Sequence, residues 1–328
     1  MYGSISLIGS GFYVPEQVIK NSEEKVIKLT GVLERRKAEE GKTSSDLAFE
    51  ASKKAISKAN ISPAEIDLII GATITPDYHC PCMANVLEAK LKAENAISFD
   101  ISAGCSGFIF ALDLAAKYLN ASNFTYALVV ASEVMSRTLD PNDYPTAMVF
   151  GDGAGAVVLK KTTDREANSY PKLLSTYLAT DGNGGGYLLL PGGGSAVTPL
   201  SAKSISLGRH YLRIKNSFFT IRPAINHLYE ACKRALEENK LTIKDVSLII
   251  PHQVNLRILR ELARRLGIDN EFEKKFYINI DRYGNVSSAS VAIGLAEALS
   301  EGRIKGGDII LLVTYGGGLT WASAVIRC

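Results

Sequence analysis

Two patterns in this 328-residue sequence predict an α/β fold of layered, mostly buried sheets built from two related halves. Apolar, strand-like runs alternate with amphipathic helical ones along the chain, and such alternation stacks helices on the faces of a sheet. One helix–turn–strand unit also recurs 180 residues later, Phe49 being answered by Tyr229.

The first copy of the unit runs Phe49-Glu50-Ala51-Ser52-Lys53-Lys54-Ala55-Ile56 inside an expected helix at 45–59. A polar turn with Ser62 as the expected N-cap follows, then a buried strand at 68–72. A helix at 83–91 and a strand at 96–99 come next. Beyond them Phe108, Leu112, Ala115 and Leu119 recur every three or four residues, as one buried helical face does. An apolar strand at 127–131 precedes Gly151-Asp152-Gly153-Ala154-Gly155, which leads into β-branched residues rather than a helix and so is no dinucleotide loop. The glycine-rich stretch 181–195, with the polar segment to Lys203, is expected to link the halves. The second copy runs Tyr229-Glu230-Ala231-Cys232-Lys233-Arg234-Ala235-Leu236 in a helix at 222–238. Thr242 is its expected cap and 246–250 its strand. Helices at 256–266 and 290–299 and a strand at 309–314 complete the pattern.

At 46% hydrophobic and 22% charged, the composition is that of a soluble globular protein with a sizeable core. A net charge of +3 gives no ground for expecting nucleic-acid binding. Five scattered cysteines do not form a disulfide framework, so a reducing cytoplasm is the expected compartment. No secretory leader pattern precedes Val14, and no stretch has the apolar length that crosses a bilayer.

The residues that carry chemistry stand where strands end. Cys105, in Ala103-Gly104-Cys105-Ser106-Gly107, lies at a strand-to-helix turn. There the positive end of a helix dipole is expected to stabilise the thiolate, the nucleophilic form. The flanking glycines allow backbone and substrate to come close. Pro251-His252-Gln253-Val254-Asn255 leaves the strand of the second copy, at the end of a sheet where ligands gather. The 180-residue offset sets Gly104-Cys105 opposite Gly284-Asn285. Cys, His and Asn together suggest acyl-thioester chemistry, the cysteine carrying the acyl group and the other two donating to a second carbonyl. Gly316-Gly317-Gly318 marks a close backbone approach, and an N–H from it beside that of Cys105 would form an oxyanion hole. His79-Cys80-Pro81-Cys82 lacks a second pair at ligand spacing, so no metal site is expected. Arg257, Arg260, Arg264 and Arg265 lie on one helix after His252 and suit an acidic carrier.

With these residues in view, the chain resembles the β-ketoacyl-acyl-carrier-protein synthase III family of the thiolase superfamily. The resemblance rests on Thr30 to Arg36, the Cys105 turn, Phe150 to Ala156, Pro251 to Arg257, Tyr283-Gly284-Asn285 and Gly316 to Trp321. It implies a thiolase-like five-layer αβαβα fold, two duplicated halves each with a mixed sheet: 1–170 carrying the nucleophile, 171–328 carrying His252 and Asn285. It also implies a homodimer that needs no cofactor.

The implied reaction is a decarboxylative condensation of an acyl primer, on coenzyme A or a carrier protein, with malonyl-acyl-carrier protein. Its setting would be fatty-acid or polyketide-type biosynthesis. Cys105 would carry the acyl group, with the N–H groups of Cys105 and Gly317 holding the oxyanion. His252 and Asn285 would hold the malonyl thioester carbonyl, while Asn255, Cys80 and Phe150 would line the substrate site. Lys25, Leu29 and Tyr144 stand where family members that use coenzyme A clamp its adenine with tryptophan and arginine. Cys80 replaces the larger residue that a second protomer commonly supplies to the acyl pocket. These departures leave an alternative, transfer of the acyl group from cysteine to a non-malonyl acceptor.

Overall fold

The computed structural model describes residues 4–163, 166–197, 199–215 and 217–328. A nine-stranded mixed sheet is its framework. The strands are β1 Ile5–Tyr13, β2 Leu68–Ala72, β3 Ile97–Ile101, β4 Tyr126–Val134, β5 Asp152–Lys161, β6 Lys172–Thr180, β7 Leu248–Pro251, β8 Ile309–Gly316 and β9 Thr320–Arg327. The main helices are α1 Ser44–Ala59, α2 Met83–Leu91, α3 Gly107–Ala121, α4 Ser217–Glu238, α5 Leu256–Arg265 and α6 Ala289–Ser300.

In space the strands follow the order β7-β8-β9-β6-β1-β5-β4-β2-β3. The same pairing pattern is written outward from both sides of the β6–β1 seam. In the N-terminal part β1, β5 and β4 are successively antiparallel, and β4 and β3 flank β2 in parallel. In the C-terminal part β6, β9 and β8 are successively antiparallel and β7 joins in parallel. Where β3 would recur, Phe276 makes a single parallel bridge to Ile249. The seam itself is thin: Ser6 opposite Lys172, and the Leu7 N–H donating to the Pro171 carbonyl at 2.7 Å.

Side chains on a strand point alternately to its two faces, and here both faces are covered, which explains the nearly continuous apolar runs. Leu68 and Ile70 pack with Leu248, Ile250, Ile310 and Leu312 around Phe108, Leu112, Val291 and Leu295 of α3 and α6. Their neighbours Ile69, Leu128 and Val130 face Leu47, Ala51, Met83 and Leu87 of α1 and α2. Ile249, Leu311 and Val313 face Leu228, Ala231, Leu259 and Leu262 of α4 and α5. The layers are therefore α1/α2, sheet, α3/α6, sheet and α4/α5. A helix in the middle layer meets protein on all sides, and residues 289–296 of α6 are all buried.

One expectation is corrected. The stretch 181–203 does not join the halves, because β6 precedes it and already pairs with β9. Instead it leaves the sheet and returns through Leu188–Leu189, paired antiparallel with Arg213–Ile214, to lay Tyr187, Leu188 and Ile214 on the wall of the main cavity. Thr198 within it lies outside the described residues. Apolar and small residues on this loop face the cavity, and that contact, not linker flexibility, accounts for its composition.

Candidate active site

Cys105 sits between β3 and α3. Gly104 takes φ +55° there, a conformation disfavoured for side chains with a Cβ, and its pseudo-equivalent Gly284 takes φ +67°. Between them the two turns bring residues 105 and 285 to one cavity of about 780 Å³, also lined by Phe150, His252, Asn255 and Gly317.

The thiol is not ionised. Burial above all, with the negative charge of Glu133, pushes it up to about 11, against a partial offset from donation by Ser287 and the N–H groups of Gly317 and Cys105. The Ser287 hydroxyl donates to Sγ at 3.7 Å. The expected thiolate at a helix N-terminus is thus corrected. Dipole stabilisation at such an end is about 1 kcal/mol, whereas removal from water costs an anion more. The thiol nevertheless reaches the cavity, and the two N–H groups expected as an oxyanion hole do converge on it.

His252 extends the β7–β8 ladder by one residue, its N–H donating to Val313 O at 2.8 Å. Its imidazole is buried, and among the described residues neither Nδ1 nor Nε2 has a hydrogen-bond partner. Burial pushes its pKa down to about 3, so the ring is neutral at physiological pH. Asn285 is pinned by its N–H on Val149 O at 2.8 Å and by the Gly151 N–H on its own carbonyl at 3.0 Å. Its side-chain oxygen accepts the Ser287 N–H at 2.8 Å, which leaves the amide NH₂ to donate to a bound molecule. The site thus offers two neutral donors beside a thiol.

The other predicted residues divide. Phe150 lines the cavity and is buried. Asn255 lines it too, but its side-chain oxygen accepts the Arg257 N–H at 2.9 Å and caps α5. Cys80 is exposed and forms no part of this chain's own cavity wall. Arg257, Arg260 and Arg264 line the mouth. Arg260 pairs with Glu273 at 2.7 Å, and Arg264 pairs with Glu261. Arg265 turns away, bonding Asn226 Oδ1 at 2.5 Å and lying 4.4 Å over the Tyr229 ring. Of the adenine-clamp positions, Leu29 stands at the mouth, Lys25 lies in a shallow depression beside it, and Tyr144 is 62% exposed and off the cavity wall.

Sequence reasoning missed Glu133, Ser287 and Tyr315. Glu133, next to last in β4, is fully buried, accepting from Thr75 Oγ1 at 2.7 Å, Ser288 Oγ at 2.7 Å, Ile74 N at 3.1 Å and Thr73 Oγ1 at 3.3 Å. The Tyr315 hydroxyl is buried on the cavity wall and has no hydrogen-bond partner among the described residues. A lone acid at the exit of an apolar strand was the available signal for Glu133. Among the described residues no His/Cys/Asp/Glu cluster could hold a metal ion.

The family described as 3-oxoacyl-[acyl-carrier-protein] synthase III matches residues 99–182, and its C-terminal counterpart matches residues 236–328. A β-ketoacyl-[acyl-carrier-protein] synthase III of Caldanaerobacter subterraneus is 42% identical over 98% of this chain and 97% of its own length. The chain belongs to the β-ketoacyl-acyl-carrier-protein synthase III family. Another relative of that name, from Clostridioides difficile, is 38% identical over 98% of this chain and 97% of its own.

Among solved structures, the 3-oxoacyl-[acyl-carrier-protein] synthase III of Aquifex aeolicus superposes with a TM-score of 0.87 at 37% identity, covering 99% of this chain and 100% of that one. The priming β-ketosynthase of the R1128 polyketide pathway gives 0.90 at 32% identity, covering 99% and 97%. The chain is therefore a thiolase-fold condensing enzyme, an acyltransferase that joins an acyl primer to malonyl-acyl-carrier protein in fatty-acid or polyketide-type synthesis.

Proposed function

We propose that Cys105 carries the primer as a thioester, and that His252 and Asn285 hold the malonyl thioester carbonyl while carbon dioxide leaves. The observation that carries this reading is one cavity shared by a thiol, a neutral imidazole with no partner on either nitrogen among the described residues, and a carboxamide whose oxygen is engaged by the Ser287 N–H, leaving its NH₂ to a bound molecule. Preorganised neutral donors in a desolvated site stabilise an enolate without a strong base. In this mechanism sulfur attacks the primer carbonyl, and the N–H groups of Cys105 and Gly317 take the developing oxyanion. The donor thiol departs. Decarboxylation of the second substrate then leaves an enolate on the His252 and Asn285 donors, and its carbon attacks the acyl-cysteine. The β-ketoacyl product is released on the carrier.

In this reading residues 1–170 supply the nucleophile and 171–328 the donors, and Arg257, Arg260 and Arg264 meet the acidic carrier. Cys80 closes the acyl end of the cavity in the other protomer of a homodimer. The absence of tryptophan and arginine from positions 25, 29 and 144 favours a carrier-bound primer over coenzyme A. The cytoplasm is the proposed compartment.

Incubation with butyryl-carrier protein should add one butyryl mass to Cys105. Later addition of malonyl-carrier protein should release carbon dioxide and a six-carbon β-keto product. Acylation with no carbon dioxide from any primer would point to transfer onto a non-malonyl acceptor and sink the assignment of His252 and Asn285.

A further inference from the structure

His252 and Asn285 can hold one carbonyl only if the loops that carry them keep a fixed spacing. Yet among the described residues neither side chain is hydrogen-bonded to the other's loop. We propose that Gln253 is the positioning residue that sets this spacing, a side-chain tether from the His252 loop to the segment that leads into Asn285. This rests on His252 and Asn285 being the malonyl donors.

Gln253 follows His252 directly, is 1% exposed and takes no part in the cavity wall. Its carboxamide makes four hydrogen bonds, the full set for two N–H donors and an oxygen with two lone pairs. Nε2 donates to Pro251 O at 2.9 Å and to Tyr277 O at 3.1 Å. Oε1 accepts the N–H groups of Asn279 and Ile280, both at 3.1 Å. Because one end meets only carbonyls and the other only N–H groups, the amide has a single workable orientation. The first N–H groups of the helical turn Ile280–Tyr283 have no partner within it, and Asn279 at the cap position does not cap with its own side chain. Gln253 caps that turn from the neighbouring loop.

The far side of the turn is fixed as firmly. The Glu297 carboxylate of α6, 4% exposed, accepts Asn279 Nδ2 at 3.0 Å, Arg282 Nη1 at 2.9 Å and the Tyr283 hydroxyl at 2.7 Å. Asn285 comes two residues later, across Gly284, where a Cβ would lie 2.4 Å from Val149 O. A shift at residues 279–280 therefore has no slack to absorb it before the asparagine. On the other loop, the imidazole has no hydrogen bond of its own, so its backbone and packing alone aim it.

A glutamine that merely stabilised the fold would, when lost, weaken both half-reactions together. The Cys105 turn is held by contacts remote from this tether: Ser106 Oγ donates to Thr320 O at 3.2 Å and Thr320 Oγ1 to Ala103 O at 2.9 Å. Loss of the tether should therefore spare acylation and impair decarboxylation.

The test measures the two half-reactions separately in the full chain. Gln253→Leu keeps the volume and loses all four hydrogen bonds; Gln253→Glu keeps the two accepted from residues 279 and 280. Acylation of Cys105 by butyryl-N-acetylcysteamine is read by intact-protein mass, and carbon dioxide release by the acylated enzyme is read with radiolabelled malonyl-carrier protein. Gln253→Leu should acylate within about threefold of wild type yet release carbon dioxide about 100-fold more slowly, the usual weight of a misplacement near 1 Å. The loss should fall on kcat rather than KM, because the donors tighten on the enolate only as it forms. Gln253→Glu, still capping the turn, should lose about tenfold. Equal losses in both half-reactions, or carbon dioxide release at the wild-type rate in Gln253→Leu, overturn the tether. If Gln253→Leu does not fold, Gln253→Glu decides by the same comparison. His252→Ala, run alongside, tests the reading beneath: undiminished carbon dioxide release from it would overturn the donor assignment itself.

Discussion

His252 offers a direct test of the neutral-donor argument through stability. Burial holds its pKa at about 3, against 6.5 for the free side chain, so the folded protein keeps the ring uncharged while the unfolded chain protonates it. A group depressed in the folded state contributes stability that is present above the unfolded value and lost as pH falls through the interval, here from 6.5 down to about 3. Each unit of separation is worth about 1.4 kcal/mol, so by pH 4.5 roughly 3 kcal/mol should have gone through this one residue. In a chain of 328 residues that corresponds to about 4 °C in melting temperature. The measurement is the melting temperature of wild type and His252→Gln at pH 7.5 and pH 4.5, taken as a difference of differences so that the remaining carboxylates cancel. The variant should lose markedly less on acidification. Equal losses would mean that the ring is already protonated or solvated in the native state, and with that the picture of a dry pair of neutral donors would fall.

Three shorter expectations follow from the same geometry. Cys105 should react with iodoacetamide at pH 8 about 100-fold more slowly than an exposed peptide thiol, in line with its upward displacement from 9.0 to about 11; a midpoint below 8 would contradict the burial argument. Gly316→Ala would set a methyl 2.5 Å from the Cys105 N and 2.8 Å from its Cβ, so the strand must part from the nucleophile turn. Acylation should fall at least about tenfold with a destabilisation of about 1–3 kcal/mol, read by mass and by urea melts, and unchanged values would refute the contact. Arg257→Glu, at the mouth, should raise the KM for malonyl-carrier protein roughly tenfold and weaken its salt dependence. Arg265→Glu, which faces Tyr229 instead, should leave that KM alone; equal effects would place the carrier elsewhere.

The strand Leu68–Ala72 and the helix Met83–Leu91 fall on the residues expected of them, because a core packed on both faces of the sheet writes itself as unbroken apolar runs. The turns carrying Cys105 and Asn285 were legible for a related reason, since glycine at positive φ beside a polar residue is a strong local signal. What local sequence did not carry is desolvation. The thiol's environment is made by Gly316, Ser287 and Glu133, each distant in the chain, and their joint effect reverses the sign expected from the helix dipole alone. Glu133 carries little local signal of its role because its partners are distant in the chain, Thr73 and Thr75 at the exit of β2 and Ser288 in the turn before α6. The 181–203 stretch was misjudged because glycine-rich composition describes a linker and a cavity-lining loop equally well. Arg265 was grouped with its neighbours by spacing, yet one position along a helix turns a side chain by about 100°, enough to aim it at a different partner.

The reacting groups meet only because two turns 180 positions apart in the chain fold onto one cavity. During synthesis, residue 105 emerges long before the asparagine and imidazole that arm it. A nascent or truncated polypeptide therefore presents an ordinary cysteine, with no donors to draw in a malonyl group. Competence arrives late and all at once, when the last strands close over the turn, so partly made chains have no means of spending carrier-bound substrate.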